Sequence, residues 1–360
     1  MPKNIIICCD GTGNQLGETY SNVVKLYMML EKDNQKQLAF YDPGVGTMSD
    51  ANAVNPLSKT ISKIGGLAFG WGLKENVSQA YGYLMENYEP EDKIFMFGFS
   101  RGAYTVRVLA ALIHTTGLLQ KGCQHLIPYA WEIFRKSFED TEKRIAAQFR
   151  DTYARKTGIH FMGVWDTVTS IGLFNRKKLP YTTNNPSILN IRHAVSIDER
   201  RTYYRQNLFG TENAHQDIKQ VWFAGVHSDV GGSYPLNESG LSQLTLEWMI
   251  REAKLFELIV GTAKESELLH DSLKRGYSVP DINEEIHHSL SIMWWVLEFF
   301  PKWKKRGFPI YFPLGSKRRM FEDPAGEPLI PLVHESVLRK TNPASYVQDT
   351  LGDNKYIKEL

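Results

Sequence analysis

The 360-residue chain contains only three cysteines, and two of them, Cys8 and Cys9, are adjacent. So few thiols exclude a disulfide framework, and without a CxxC spacing the commonest cysteine metal site is missing, so the thiols are expected to be reduced and structural. Long hydrophobic runs are also missing. The opening stretch MPKNIIICCDGTGN meets Asp10 too soon to form a secretory signal, and no segment has the length of a membrane span. The chain is therefore expected to be cytoplasmic as synthesised, with any export left to a secretion machine that reads another feature. Runs of like charge are short: 42 Lys plus Arg against 40 Asp plus Glu give a formal net charge of +2, no electrostatic footprint for nucleic acid. Internal repeats and low-complexity segments are lacking too.

What is present is a pattern. Hydrophobic residues make up 42% and charged residues 23% of the chain, a composition suited to one large domain with insertions or to two. Short apolar runs alternate with helical periodicity, as in βαβ units with a mostly parallel sheet. Strands are predicted at Ile5 to Cys9, Leu38 to Tyr41, Lys93 to Phe97, His160 to Trp165 and Val221 to Val226. Helices are predicted at Val23 to Glu31, Leu73 to Asn87, Ala103 to Leu118 and Tyr129 to Tyr153, with one more at Leu241 to Val260. The fold class is thus α/β, an open sheet wound on both faces, in which ligands gather at the carboxyl ends of the strands. Each predicted strand runs into polar residues there: Asp10 to Asn14, Asp42-Pro43-Gly44, Ser100, Asp166-Thr167, and His227 to Gly232. Residues 1–235 are expected to form the core, 236–330 a helical cap or accessory layer without a new strand series, and 331–360 a segment returning to the core with a polar tail.

The stretch FMFGFSRGAYTVR places Ser100 between Gly98 and Gly102, where a strand would turn into a helix. A GxSxG elbow needs small residues at those two positions, because strand and helix pack against each other there. The bland alternative is a turn with a helix-capping serine. A serine hydroxyl needs a base to take its proton, and the base needs an acid to hold its tautomer. For an elbow the chain order is Ser, Asp or Glu, then His. Asp166 in FMGVWDTV and His227 in VWFAGVHSDVGG stand in that order, each after an apolar run. Taken singly, Asp166 could cap a helix and His227 could be a packed core histidine. His334 in PLVHESV is the rival base; His114 and His160 read as internal to their elements, and His287 with His288 as opening a helix.

The developing oxyanion needs backbone donors. One is expected from Arg101, directly after the serine, and another from the loop of Asp10, Gly11, Thr12 and Gly13, whose glycines let the backbone approach a substrate oxygen. An aspartyl-phosphatase reading of Asp10-Gly11-Thr12 would want an aspartate two positions earlier, where Cys8 stands. A metal site from Asp10, Asp42, His227 and Asp229 has suitable ligand types, but nothing in the spacing demands it. No cofactor is required for the serine chemistry.

CCDGTGN, YDPGVGT, GFSRGAYTVR, GVWDTV and FAGVHSDVGGSYP occur in that order, with VHESV as a sixth block. Together they resemble the catalytic domain of the first class of type VI secretion lipase effectors. The resemblance implies an α/β-hydrolase fold, a nucleophile at Ser100, an acid at Asp166, a base at His227 and, in secreted members, phospholipase activity on bacterial membranes. It also implies an ester or phospholipid substrate, with a serine esterase or phospholipase of the A type as the expected activity. One further stretch bears on lipid: SLSIMWWVLEFFPKWKKR sets large apolar side chains beside Lys302, Lys304, Lys305 and Arg306. Ile292 to Arg306 is therefore a candidate for peripheral membrane contact, the alternative being a buried cap helix with a solvated basic loop.

Overall fold

The run IIICC forms strand β1 (Asn4–Cys9), every residue of which is buried. Ile5, Ile7 and Cys9 face one core and Ile6 and Cys8 the other. Burial on both faces is why the run is apolar throughout rather than alternating. A computed structural model of the chain describes residues 2–11, 19–44, 66–168, 179–210, 215–271, 278–291, 294, 302–303, 310–311, 315–322 and 326–360.

The remaining strands of the main sheet are β2 (Gln37–Asp42), β3 (Lys93–Phe99), β4 (Ile159–Trp165), β5 (Ile188–Ser196), β6 (Asp217–Phe223), β7 (Leu332–His334) and β8 (Ile357–Glu359). They form one eight-stranded sheet in the order β8-β7-β6-β5-β4-β3-β1-β2. All its pairings are parallel. The described α-helices up to residue 269 are α1 (Asn22–Met29), α2 (Gly66–Asn87), α3 (Arg101–Thr116), α4 (Ile127–Lys136), α5 (Asp140–Tyr153), α6 (His227–Gly231), α7 (Gly240–Lys254) and α8 (Thr262–Leu269). Side chains of α2, α3, α4 and α5 fill the core on one face of the sheet, and those of α1, α7 and α8 fill the other. This is the α/β-hydrolase-like class: a parallel sheet flanked by helices.

The order of strands locates the site. From β1 the chain steps outward to β2, then returns to place β3 on the other side of β1. The helix after β1 packs on one face and the helix after β3 on the opposite face, so the two connections diverge at the carboxyl edge of the sheet. Gly11 and Ser100 stand at that edge, each within two residues of its strand's end.

All five predicted strands are present, the last shifted to start at Asp217 rather than Val221. Three strands of the main sheet were not foreseen: β5, and the two short outer strands β7 and β8. These last two lie in the 331–360 segment that was expected to return to the core, where no new strand series was expected; β7 pairs with β6, and β8 with β7. The single helix expected at Tyr129 to Tyr153 is two helices, broken after Lys136, where the Ser137 hydroxyl donates to the Phe134 carbonyl at 2.8 Å. The helix expected to run to Val260 stops at Lys254. His287 and His288 open no helix. Among the described residues no helix is long and apolar enough to cross a membrane.

Candidate active site

Ser100 occupies the single position between β3 and α3, with φ 57° and ψ −118°. A non-glycine residue in the left-handed region is strained, and such strain persists only where the surroundings impose it. Here the flanking glycines do so. A Cβ on Gly98 would lie 2.6 Å from the Gly102 carbonyl oxygen, and one on Gly102 would lie 2.1 Å from that of Cys9. The turn is therefore tight enough to exclude alanine on either side, and its tip carries the serine. The Ser100 amide donates to the Trp165 carbonyl at 3.0 Å, which fixes the elbow to the end of β4.

His227 opens α6, and its ring lies between Ser100 and Asp166. Nε2 is 2.8 Å from Ser100 Oγ, and Nδ1 is 2.5 Å from Asp166 Oδ2. Asp166 follows β4 directly and has φ 39°, a second left-handed residue at the same edge. A carboxylate accepts, so Nδ1 carries the proton and Nε2 is left to accept from the serine hydroxyl. Burial pushes His227 below its ordinary value and outweighs the opposing pull of Asp166 and Glu199, which keeps the ring neutral at neutral pH. For Asp166, burial alone would raise the carboxyl. Arg318 and His227 outweigh it and hold Asp166 well below the usual carboxylate range.

Each ring neighbour is itself anchored. Glu199 accepts the His227 amide at 3.2 Å and pairs with the Arg201 guanidinium at 2.8 Å. Asp229 accepts the Val226 amide at 2.9 Å, capping the short turn that carries His227, and its other oxygen meets His287 Nδ1 at 2.6 Å. His193, pushed down to about 3 chiefly by burial, accepts the Thr167 amide at 3.2 Å next to Asp166. Phe99 and Tyr204 pack on the His227 ring at 4.7 and 4.8 Å between centroids. Arg318 grips the Asp166 carboxylate with both terminal nitrogens.

The sequence-derived residues are thus placed unevenly. Ser100, Asp166 and His227 are brought together in hydrogen-bonding order, and Arg101 takes the first position of α3. Asp10 is buried and structural in its contacts: its carboxylate accepts from Ser21 Oγ at 2.6 Å and Tyr41 at 3.0 Å. Gly11 donates its amide to the same carboxylate at 2.6 Å, while Thr12 and Gly13 lie outside the described residues. His334 is remote from the serine; it bonds Ser336 Oγ at 2.9 Å and stacks on Phe223. Asp10, Asp42, His227 and Asp229 do not converge, and among the described residues no three metal-ligating side chains do. Of the Ile292 to Arg306 segment, all but Trp294, Lys302 and Trp303 lie outside the described residues; the Trp294 ring packs on Tyr204 at 5.5 Å.

Glu199, Arg201, His193, Arg318 and the Asp229–His287 pair were not foreseen as parts of the site. HSDVGG does carry a signal for Asp229, which stands two residues after His227 as an N-terminal capping carboxylate would. Nothing local marks the others.

Sheet, elbow and neighbouring histidine together define an α/β-hydrolase-like protein. The family described as "T6SS, Phospholipase effector Tle1-like, catalytic domain" matches residues 3–252, and the chain belongs to it. The uncharacterized protein YEL023C of Saccharomyces cerevisiae is 37% identical over 222 residues, which cover 58% of this chain and 33% of that protein. The chain therefore spans about a third of the curated relative it matches. Among solved structures, an uncharacterized protein from Pseudomonas aeruginosa aligns with TM-score 0.42 and 18% identity, covering 74% of this chain and 48% of the other. The Tle1 effector bound to the VgrG spike of the type 6 secretion system aligns with TM-score 0.33 and 18% identity, covering 67% and 52%.

Proposed function

We propose that this chain is a serine hydrolase of the phospholipase A type, which cleaves an acyl ester through an acyl-enzyme with Ser100 as nucleophile. The observation that carries the reading is the bonded series Ser100, His227, Asp166, with Ser100 held at φ 57°. His227 Nε2 takes the hydroxyl proton as Oγ attacks the ester carbonyl, and Asp166 stabilises the imidazolium that forms. The imidazolium then protonates the leaving alcohol. Water, deprotonated by the same nitrogen, opens the acyl-enzyme and releases the fatty acid.

The oxyanion is assigned to the Arg101 amide, directly after the proposed nucleophile. The second donor is assigned to Thr12 or Gly13, since the Gly11 amide is committed to Asp10. Phospholipid is favoured over a soluble ester by membership of a family described as phospholipase effectors. The Ile292 to Arg306 segment is the proposed lipid contact, and its Trp294 packs on Tyr204, which itself packs on the His227 ring. In this reading the segment's aromatic residues enter the lipid interface while its lysines meet phosphate.

The test is intact mass after fluorophosphonate treatment, run beside fatty-acid release from phospholipid vesicles. One adduct is expected on the native chain and none on Ser100→Ala, with lipid hydrolysis abolished in the variant. An adduct without lipid hydrolysis would redirect the substrate to soluble esters. No adduct on the native chain would sink the active-serine reading and leave a binding protein on a hydrolase-like scaffold.

A further inference from the structure

The nucleophile, acid and base all precede residue 230, yet the acid is gripped by a side chain from far along the chain. Arg318 lies beyond residues 3–252, the part that matches the family. Its Nη1 donates to Asp166 Oδ1 and its Nη2 to Oδ2 at 3.0 Å, the two-point fork that fits a carboxylate. Nη1 also reaches the Ser196 carbonyl at 3.1 Å, and Nη2 the Tyr204 carbonyl. The side chain is 4% exposed, so bulk water screens this pair little.

We infer that Arg318 is a positioning residue of the proposed ester hydrolysis: it fixes the plane of the Asp166 carboxylate against His227 and sets how basic that histidine is. The inference rests on the triad reading above. Four donors share the two carboxylate oxygens: Arg318 twice, the Ser196 amide at 3.0 Å and His227 Nδ1 at 2.5 Å. With the fork in place, the oxygen facing His227 cannot swing without breaking contacts at the other.

The electrostatic consequence has a definite sign. The charged and titratable groups around His227 are Asp166 after β4 and Glu199, Arg201 and Tyr204 after β5, with Asp229 two residues on in α6 and Arg318 seated on Asp166. Arg201 is paired with Glu199, and Asp229 with His287. Arg318 is the cation seated on the carboxylate that bonds the ring. It offsets part of the negative charge that would otherwise favour the imidazolium, so His227 stays a neutral base to lower pH than an unopposed Asp-His pair would allow.

Two readouts test this on the full chain: the rate constant of Ser100 modification by fluorophosphonate against pH, and the downfield proton resonance of His227 Nδ1 titrated over the same range. Arg318→Met should move the acidic limb up by about one pH unit, since Asp166 then acts on the ring unopposed. It should also slow modification about tenfold or more at the optimum as the carboxylate loosens. Arg318→Lys, which keeps the charge but not the fork, should hold the limb near the native position while still losing rate. A folded Arg318→Met whose limb and resonance titrate as in the native chain would overturn the inference and leave Arg318 as a structural tie. Should Arg318→Met not fold, native rate and native limb in Arg318→Lys would overturn the role of the fork. If the native chain takes no adduct, the triad reading fails separately, and the resonance still reports whether Arg318 governs the histidine.

Discussion

Asp166 has no oxygen to spare, and that makes it the most informative single residue to change. Asp166→Asn replaces an acceptor with an NH2 group that must face either Arg318 or His227. Turned to Arg318 it opposes a cation; turned to His227 it forces the ring into the tautomer that cannot accept from Ser100. The expected result is a fall of about 10⁴ in kcat with the fold retained, as for the loss of an orienting aspartate elsewhere. Circular dichroism and fatty-acid release measured on the same preparation check it; near-native turnover would remove Asp166 from the mechanism. At this scale what was legible is the placement: Ser100, Asp166 and His227, which the structure brings into hydrogen-bonding order, each stand just past an apolar run. Arg318 was not legible. In SKRRM it looks like part of a solvated basic run, and its partner is 152 residues away in sequence.

The strands and helices hold these residues through contacts closer than a methyl group allows. Gly102→Ala is the sharpest test, because the added carbon would lie 2.1 Å from the Cys9 carbonyl oxygen, inside β1. Neither backbone can yield without parting α3 from the sheet. The variant should lose about 3 kcal/mol, the upper end of overpacking costs, and a urea midpoint unchanged from native would contradict the geometry. The apolar strands were readable for a simple reason: burial on both faces leaves an uninterrupted hydrophobic run. β5 was missed because its core carries polar residues. Arg192 and His193 are both buried, and the sheet tolerates them because Arg192 pairs with Glu252 of α7 at 2.5 Å and His193 meets Gln220 of β6. β7 and β8 were missed because three residues are too few to show a period.

For the molecule as a whole, the proposed function requires the buried Ser100 to meet a lipid surface. The Ile292 to Arg306 segment, with its basic end, is the proposed point of contact. Replacing Lys304 and Lys305 together with serine should weaken binding to anionic vesicles about thirtyfold, at about 1 kcal/mol for each charge near the surface. Co-sedimentation measures this directly, and equal binding by both proteins would remove the segment from the lipid interface. The Arg318 grip has a consequence in time as well. A ribosome builds the elbow, the acid and the base long before it reaches residue 318, so the nascent chain carries a serine without its finished relay. A hydrolase of the proposed kind whose tuning group is made long after its base is held slack over that interval, and tightens only once residue 318 has joined the fold.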